Sequence, residues 1–503
     1  MKVLVFLIVI IAGGCSMVFS QTANMPEKEN VSSSHLHISG KVLITNKDTV
    51  NLLLYPYYSE FRMQLDAIKF SSPANNGNFT FNLPSINRPY YVSLFLSSNS
   101  NKKNTFNLFL IEPGDSIHFF ITMDTIEFSG KESEKFVCQY EMQQVMQLSF
   151  SKAELLNFYP KLQGYKFNKY RESKMDSLLN AQLQILEKYK YALSNLVYER
   201  LKVDYFYKEL YDLYSSLQFG FHVKADSLTR AEQIRFFKNL ESRKIMANIS
   251  ENISFNSRTY TDFLIMKSLT AILVKKYQRH SINLYRFSWT ELFDYFQEKF
   301  SGLIKEKLLA ISAYSFYKSY GNENEKFLDI ALNQASQPYF KNILQKVKDL
   351  RTAGSPAYPF LLYDTTGKLV KLSDFAGKVI VMDFWFTGCP NCIDLEKQMI
   401  FVRNKFENNK NVVFLSVSLD KNKQTWLKSV NRGLYSGIGS INLYTNGEGE
   451  DNPLIKHYDI KGCPELIIID RLQKNFSTKP VRPQNEITTE RFITLIQNTV
   501  DKN

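Results

Sequence analysis

Val379, Ile380, Val381, Met382, Asp383, Phe384, Trp385, Phe386, Thr387, Gly388, Cys389, Pro390, Asn391 and Cys392 form the stretch that decides the fold of the C-terminal part of this chain. Val379 to Trp385 is an apolar run broken by a single acid, as a strand buried on both faces requires. Beyond Gly388 the period changes. Pro390 suits the first helical position, where its missing N–H would have had no partner anyway. Leu395, Met399, Val402 and Phe406 then recur at helical spacing as one inner face. A second apolar run, Val412 to Ser418, follows the helix. Strand, helix, strand in this order predicts a parallel βαβ unit.

The two cysteines therefore close a strand and open a helix. A thiol at that place faces free backbone N–H groups and the positive end of the helix dipole, which favour thiolate over thiol. Cys389 is expected to attack a disulfide. Cys392, one turn on and on the same side, is expected to displace the product from the mixed disulfide, so the pair is a self-resolving redox couple. The competing reading is a zinc knuckle, which wants a second ligand pair. Only Cys463 is available, and no His lies near the C-x-x-C.

The stretch Val381 to Cys392 resembles the active-site segment of thioredoxin-like proteins, and Leu372 to Lys378 resembles the lead-in of the TlpA/ResA branch, thiol-disulfide oxidoreductases of bacterial envelopes. Gly462, Cys463 and Pro464, followed by apolar Leu466 to Ile469 and Asp470, are similar to the family's cis-proline loop. Pro464 stands farther from Cys389 than in plain thioredoxin, as the branch's inserted helix and strand would require. The resemblance covers roughly Ala357 to Val500. It implies that Asp383 is a buried carboxylate relaying a proton for Cys392, that Cys463, Pro464 and Trp385 meet substrate, and that no cofactor is needed. Burial without a charged partner would raise the Asp383 pKa, as that role demands. A solvated Asp at a strand end is the alternative. The implied partners are disulfide-containing envelope proteins and a thiol reductant or oxidant.

Three departures stand out. Gly388 replaces a common Trp, Pro390 and Asn391 replace Gly-Pro or Glu-Pro, and Cys463 and Glu465 replace the usual small aliphatic or Thr neighbours of the proline. For Cys463 three outcomes are open: inert packing, a metal or cluster ligand with the other two thiolates, or a third redox thiol. Exchange with Cys389 is expected, because a thiolate there would meet a nearby disulfide with little loop-closure cost.

Upstream, the pattern divides the chain. From 35 to 129 it is β: Phe79, Phe81 and Leu83 alternate with polar residues, Tyr91 to Leu96 and Phe106 to Ile111 are strand-like, and Glu112 to Asp115 make a turn before Ser116 to Ile121. An antiparallel sandwich or small barrel is expected. His35 and His37 would share a strand face, but two His without a third ligand do not make a metal site. From 131 to 350 the period is helical, with Leu179, Leu183, Leu186, Tyr189, Leu193 and Val197 on one face and further helices from Tyr260 to Tyr277 and Thr290 to Tyr320. The aromatic stripes there are read as core rather than as a ligand groove. Residues 351 to 360, with Gly354, Pro356 and Pro359, read as a linker, and the thioredoxin-like domain is assigned to 356–500.

The bulk numbers fit a folded multidomain protein: 503 residues, 44% apolar, 14% aromatic and 22% charged. The net charge of +13 comes from Lys and Arg spread along the chain, so it reads as a solvated basic surface and not as a nucleic-acid footprint. Lys2, the apolar run Val3 to Ile11 and small Ala12, Gly13 and Gly14 have the order of a secretory signal, assigned to residues 1–20. Cleavage after Ser20 is favoured over lipidation of Cys15, which would anchor the chain to a membrane. Either route places the mature protein in the periplasm or cell envelope. Two other functions compete. A peroxiredoxin-like peroxidase needs a Thr three residues before its cysteine and a Pro four before that, whereas Thr387 is two before Cys389 and Asp383 takes the Pro position. A binding or sensor protein with an accessory thioredoxin domain would account for the long front segment.

Overall fold

The computed structural model of the protein describes residues 35–43, 49–59, 67–96, 106–122, 125–149, 165–222, 227–243, 245–246, 248–279, 289–316, 325–351, 354–460 and 462–501. The expected signal segment, with Cys15 and the site after Ser20, lies outside them. The described residues divide into two compact units. One runs up to Phe316 and includes Asp329–Asn342; the other runs from Ile343 onward and includes the residues ending at Leu328.

The first unit begins with eight strands among the described residues: β1 His37–Val42, β2 Thr49–Tyr55, β3 Ile68–Pro73, β4 Asn78–Asn82, β5 Tyr90–Leu96, β6 Phe106–Ile111, β7 Ser116–Ile121 and β8 Ile126–Ser129. They make two four-stranded sheets, β4-β1-β7-β8 and β3-β2-β5-β6. Ile38, Phe79, Phe81, Ile117 and Phe119 from one sheet share a core with Leu52, Leu54, Val92 and Phe109 from the other. The pairings are antiparallel except β1 with β7, which run parallel. A purely antiparallel sheet was expected from local turns. The parallel pair joins strands far apart in sequence, which no local turn chemistry announces.

Helices follow: α1 Ser133–Ser149, α2 Tyr165–Lys188, α3 Asn195–His222, α4 Ser227–Glu241, α5 Glu251–Asn256, α6 Tyr260–Arg279, α7 Trp289–Lys299 and α8 Gly302–Phe316, with α9 Glu325–Gln334 and α10 Pro338–Arg351 after them. Two stretches read as single helices are broken. The first is interrupted by a 3-10 turn at Lys190–Ala192, and Ser194 then accepts a bond from Val197 N, 3.1 Å, to start α3. The second breaks before Gly302, whose φ of +60° suits glycine. The helices do not form a core of their own alone. Leu53, Tyr55, Tyr91 and Leu110 on the outer face of the second sheet pack against Cys138, Leu186, Val197 and Tyr205. That sheet is thus covered on both faces, so β2 reads Val-Asn-Leu-Leu-Leu-Tyr with every one of these residues buried instead of alternating. Many of the helical aromatics are packing residues, as in the Tyr207, Tyr260 and Phe263 cluster, while Tyr170 and Tyr191 are exposed.

A polar network runs through this packing. Asp204, fully buried, accepts from Tyr91 OH at 2.6 Å, Ser257 Oγ at 2.6 Å and Arg258 N at 3.0 Å. Arg200 donates to Tyr91 OH and to the Pro89 carbonyl, and Lys307 to the carbonyls of Phe255 and Ser257.

The second unit carries β9 Leu361–Asp364, β10 Leu369–Lys371, β11 Val379–Trp385, α11 Pro390–Lys405, β12 Val412–Ser418, α12 Lys423–Arg432, β13 Ser440–Tyr444, α13 Pro453–His457, β14 Glu465–Ile469, β15 Asn475–Ser477 and α14 Glu486–Asp501. One sheet takes the order β10-β9-β13-β12-β11-β14-β15. β11, β12 and β13 run parallel, while β14 is antiparallel to β11, with Asp383 opposite Leu466. α12 and β13 stand between β12 and the Pro464 loop, where an inserted helix and strand were expected. Val379, Val381, Phe414, Leu466 and Ile468 face Leu395, Met399 and Val402 of α11 and Phe492 and Ile496 of α14. Ile380, Met382 and Phe384 point the other way and are equally buried. Each such side chain contributes about 1.5–3 kcal/mol by leaving water, which holds β11 at the centre of the sheet. The segment read as a linker is partly tied to this sheet: Gly354 N donates to Asn475 O, Asn475 N to Ser355 O and Ala357 N to Gln473 O.

Candidate active site

Because β11 is central and parallel to β12, its C-terminal end emerges at the edge where α11 begins, and the two cysteines sit on that junction. Cys389 is the N-cap of α11 and Pro390 its first residue. The sulfurs of Cys389 and Cys392 form a disulfide, with Cα atoms 5.3 Å apart, and both residues are buried. Cys392 N donates to Cys389 Sγ at 3.1 Å, so the helix N-terminus is directed at that sulfur. In the reduced pair the same N–H and the dipole would stabilise a thiolate there.

The turn before the disulfide is fixed from several sides. Gly388 has a φ of +95°, with nothing within 4 Å of where a Cβ would sit. Backbone conformation, not space, is what favours glycine at the place where the family often keeps Trp. Gly388 N donates to Tyr435 OH at 2.8 Å, and Tyr435 stacks on Trp385 with ring centroids 4.9 Å apart. Trp385 is fully buried and donates through Nε1 to Ser416 Oγ at 2.7 Å. It supports the disulfide from inside the fold, packed with Trp426, Tyr435 and Tyr444. An exposed platform for substrate, the role that the resemblance implies, is not what its position offers. Thr387 donates from N and Oγ1 to Asp420 at 2.9 and 2.7 Å, with Ser429 Oγ also 2.8 Å away. Its hydroxyl is thereby engaged away from Cys389.

Asp383 lies on the face of β11 shared with Val379 and Val381, the face that α11 and α14 cover. Its Oδ1 is shielded from solvent and has no hydrogen-bond partner among the described residues. Burial, with the nearby Glu396 carboxylate adding to it, raises the Asp383 pKa to about 8, and Arg403 and Arg482 offset part of the rise. Glu396 stands one turn after Cys392 and forms a buried ion pair with Arg403. Burial pushes the Glu396 pKa up as well. The pair leaves no room beside it: a Cβ at Gly437 would be 2.5 Å from both Glu396 Oε1 and Arg403 Nη2.

The Cys463–Pro464 peptide bond is cis. The carbonyl oxygen of Cys463 is 3.6 Å from Cys389 Sγ, so the loop presents backbone to that sulfur. The Cys463 thiol is half-buried, and burial, with Asp383 next in effect, pushes its pKa far up. Glu465 pairs with Lys479, and Arg482 donates to the Pro464 carbonyl at 2.5 Å. Among the described residues no three His, Cys, Asp or Glu side chains are placed to hold a metal.

Sequence reasoning singled out Cys389, Cys392, Asp383, Trp385, Cys463 and Pro464, and the fold gathers all six around one junction. It missed Glu396, Asp420, Tyr435 and Arg482. Glu396 carried a signal, being a charged residue between the inner-face positions Leu395 and Met399. The other three come from loops whose approach depends on the whole sheet.

Residues 377–475 match the family model described as thioredoxin-like. The thiol-disulfide oxidoreductase ResA of Bacillus subtilis is 33% identical over 128 residues, which is 24% of this chain and 64% of that protein. The chain therefore spans just under two thirds of the length of this curated relative. Among solved structures, the thioredoxin domain of a thiol-disulfide oxidoreductase from Bacteroides vulgatus is 25% identical, covering 30% of this chain and 99% of that one, with a TM-score of 0.25. A thiol:disulfide interchange protein from Bacteroides sp. is 24% identical, covering 30% and 92%, also with a TM-score of 0.25.

Proposed function

The chain ends in a thioredoxin-like domain, and we propose that it is an extracytoplasmic thiol-disulfide oxidoreductase, a reductase or isomerase of envelope protein disulfides. The observation that carries the reading is the Cys389–Cys392 disulfide at the start of α11, with Asp383 on the strand behind it and a cis proline in front. In the reducing direction the Cys389 thiolate attacks a substrate disulfide. A Cys389-to-substrate S–S bond forms, and the second substrate sulfur leaves as thiolate. Cys392 gives its proton to the Asp383 carboxylate and attacks Cys389 Sγ, which closes the 389–392 disulfide and releases the first substrate sulfur. Two electrons pass to substrate, and a thiol partner restores them. With a pKa of about 8, Asp383 has both forms at hand near neutral pH. Cys463 and Pro464 align an extended substrate through their backbone.

The order of Lys2, the apolar run Val3–Ile11 and the small residues after it supports export, with release after Ser20 or attachment through Cys15. Among the described residues no helix is long and apolar enough to cross a membrane.

The test is trapping. In an envelope extract, Cys392→Ser should accumulate mixed disulfides through Cys389, whereas the Cys389→Ser, Cys392→Ser double variant should trap none. If the single variant captures nothing above the double, the exchange reading fails.

A further inference from the structure

Beside the cis-proline turn lies a cleft of about 240 Å³ lined by Glu465, Leu466, Lys479, Pro480, Arg482 and Gln484. Glu465 and Leu466 open β14 directly after Pro464, and the other four belong to the segment between β15 and α14. The charges lining the cleft do not cancel. Lys479 is neutralised by its ion pair with Glu465. Arg482 is held by the Pro464 carbonyl, a neutral group, and that contact uses one of its five N–H donors. The cleft therefore offers one planar guanidinium in excess, and a carboxylate is the group that matches its fork.

The position of the cleft says what would fill it. A substrate sulfur bonded to Cys389 must sit beside the Cys463 carbonyl, which is 3.6 Å from Cys389 Sγ. An extended substrate advances roughly 3.3 Å per residue, so a side chain within a few residues of its cysteine is within reach of the cleft that opens beside Pro464.

We propose that this cleft is a substrate subsite that reads an acidic side chain within about three residues of the substrate cysteine, with Arg482 as its specificity residue. The subsite rests on the oxidoreductase reading and narrows its substrate class. It carries a mechanistic consequence as well. Arg482 is one of two cations that offset the burial of Asp383. A substrate carboxylate seated on Arg482 would screen that charge, so the pH profile of resolution would shift upward with an acidic substrate.

The experiment uses the full chain and disulfide peptides carrying Glu, Gln or Lys at each of the three positions on either side of the cysteine. At low salt the wild type should reduce the best Glu peptide about tenfold faster in kcat/KM than its Lys counterpart. The preference should shrink as salt screens it. Arg482→Glu should invert the ratio and Arg482→Gln should flatten it; the wild-type series stands even where a variant folds poorly. Equal rates for Glu and Lys peptides at every position, with exchange otherwise intact, would overturn the subsite alone. No exchange with any peptide would overturn the oxidoreductase reading and the subsite with it.

Discussion

The two units hold a carboxylate each that is shielded from solvent, Asp204 wholly and Asp383 at one oxygen, and treat them in opposite ways. Asp204 in the first unit is surrounded: Tyr91, Ser257 and the Arg258 backbone donate to its oxygens, and the Arg258 Nε is 3.8 Å from Oδ2. Asp383 in the second unit accepts a backbone bond from Phe384, but its solvent-shielded Oδ1 has no partner among the described residues, and its two cations act from a distance. Full satisfaction fixes one arrangement and rigidifies it. An orphaned oxygen costs stability and leaves room for a proton to come and go, which a relay requires and a scaffold does not. Lys307, also buried, shows the scaffold side again. Burial lowers its pKa to about 7, yet its ammonium donates to two backbone carbonyls.

The contrast can be broken by experiment. Asp204→Ala should have the largest effect, about 3–5 kcal/mol of lost stability confined to the first unit, because it strands the Arg258 charge and the buried Tyr91 and Ser257 hydroxyls. Hydrogen exchange resolved by segment would show β5, α3 and α5 opening together; unchanged protection there would mean the network is not structural. Asp383→Asn should do the reverse. The folded carboxyl keeps its proton up to about pH 8 while the unfolded chain gives it up near 3.8. Stability from this group therefore falls as pH rises through that window. The amide should be more stable at pH 7, by on the order of 2 kcal/mol, and should flatten the pH dependence. The same variant should slow resolution of the mixed disulfide, by on the order of a hundredfold. A variant that is neither more stable nor slower would place Asp383 with the scaffold groups. The smallest effect belongs to Cys463. Burial holds it as a thiol, so a Cys389 to Cys463 linkage should form slowly in Cys392→Ser across a glutathione series, and Cys463→Ser should leave exchange unchanged. Rapid linkage on peptide mapping would make it a third redox thiol.

How much of this was legible in sequence follows from how local each signal is. The strand, turn and helix around Cys389 could be read because Gly388, Pro390 and the inner-face period announce themselves within a few residues, whereas Asp383 was singled out only through the resemblance. The helix break at Lys190–Ala192 could not, since no Gly or Pro marks it and Leu193 and Val197 keep nearly the same period beyond it. The change from β to helical period near Lys131 suggested separate bodies, but Leu53 and Leu110 pack on Cys138 and Leu186 in one core. The partners of Asp204 come from β5 and the turn before α6, and Arg482 meets Pro464 only through the sheet. Such meetings are properties of the folded chain, with no local pattern to carry them.

Gly437 has a bearing on how this site can change over evolutionary time. A Cβ there would stand 2.5 Å from Glu396 Oε1 and Arg403 Nη2, the far ends of two flexible side chains, so an alanine at 437 asks that pair to shift. Losing either Arg403 or Glu396 alone would leave the other a lone buried charge, so the two are expected to change together. Substitutions at positions 396, 403 and 437 are thus coupled through one packed contact.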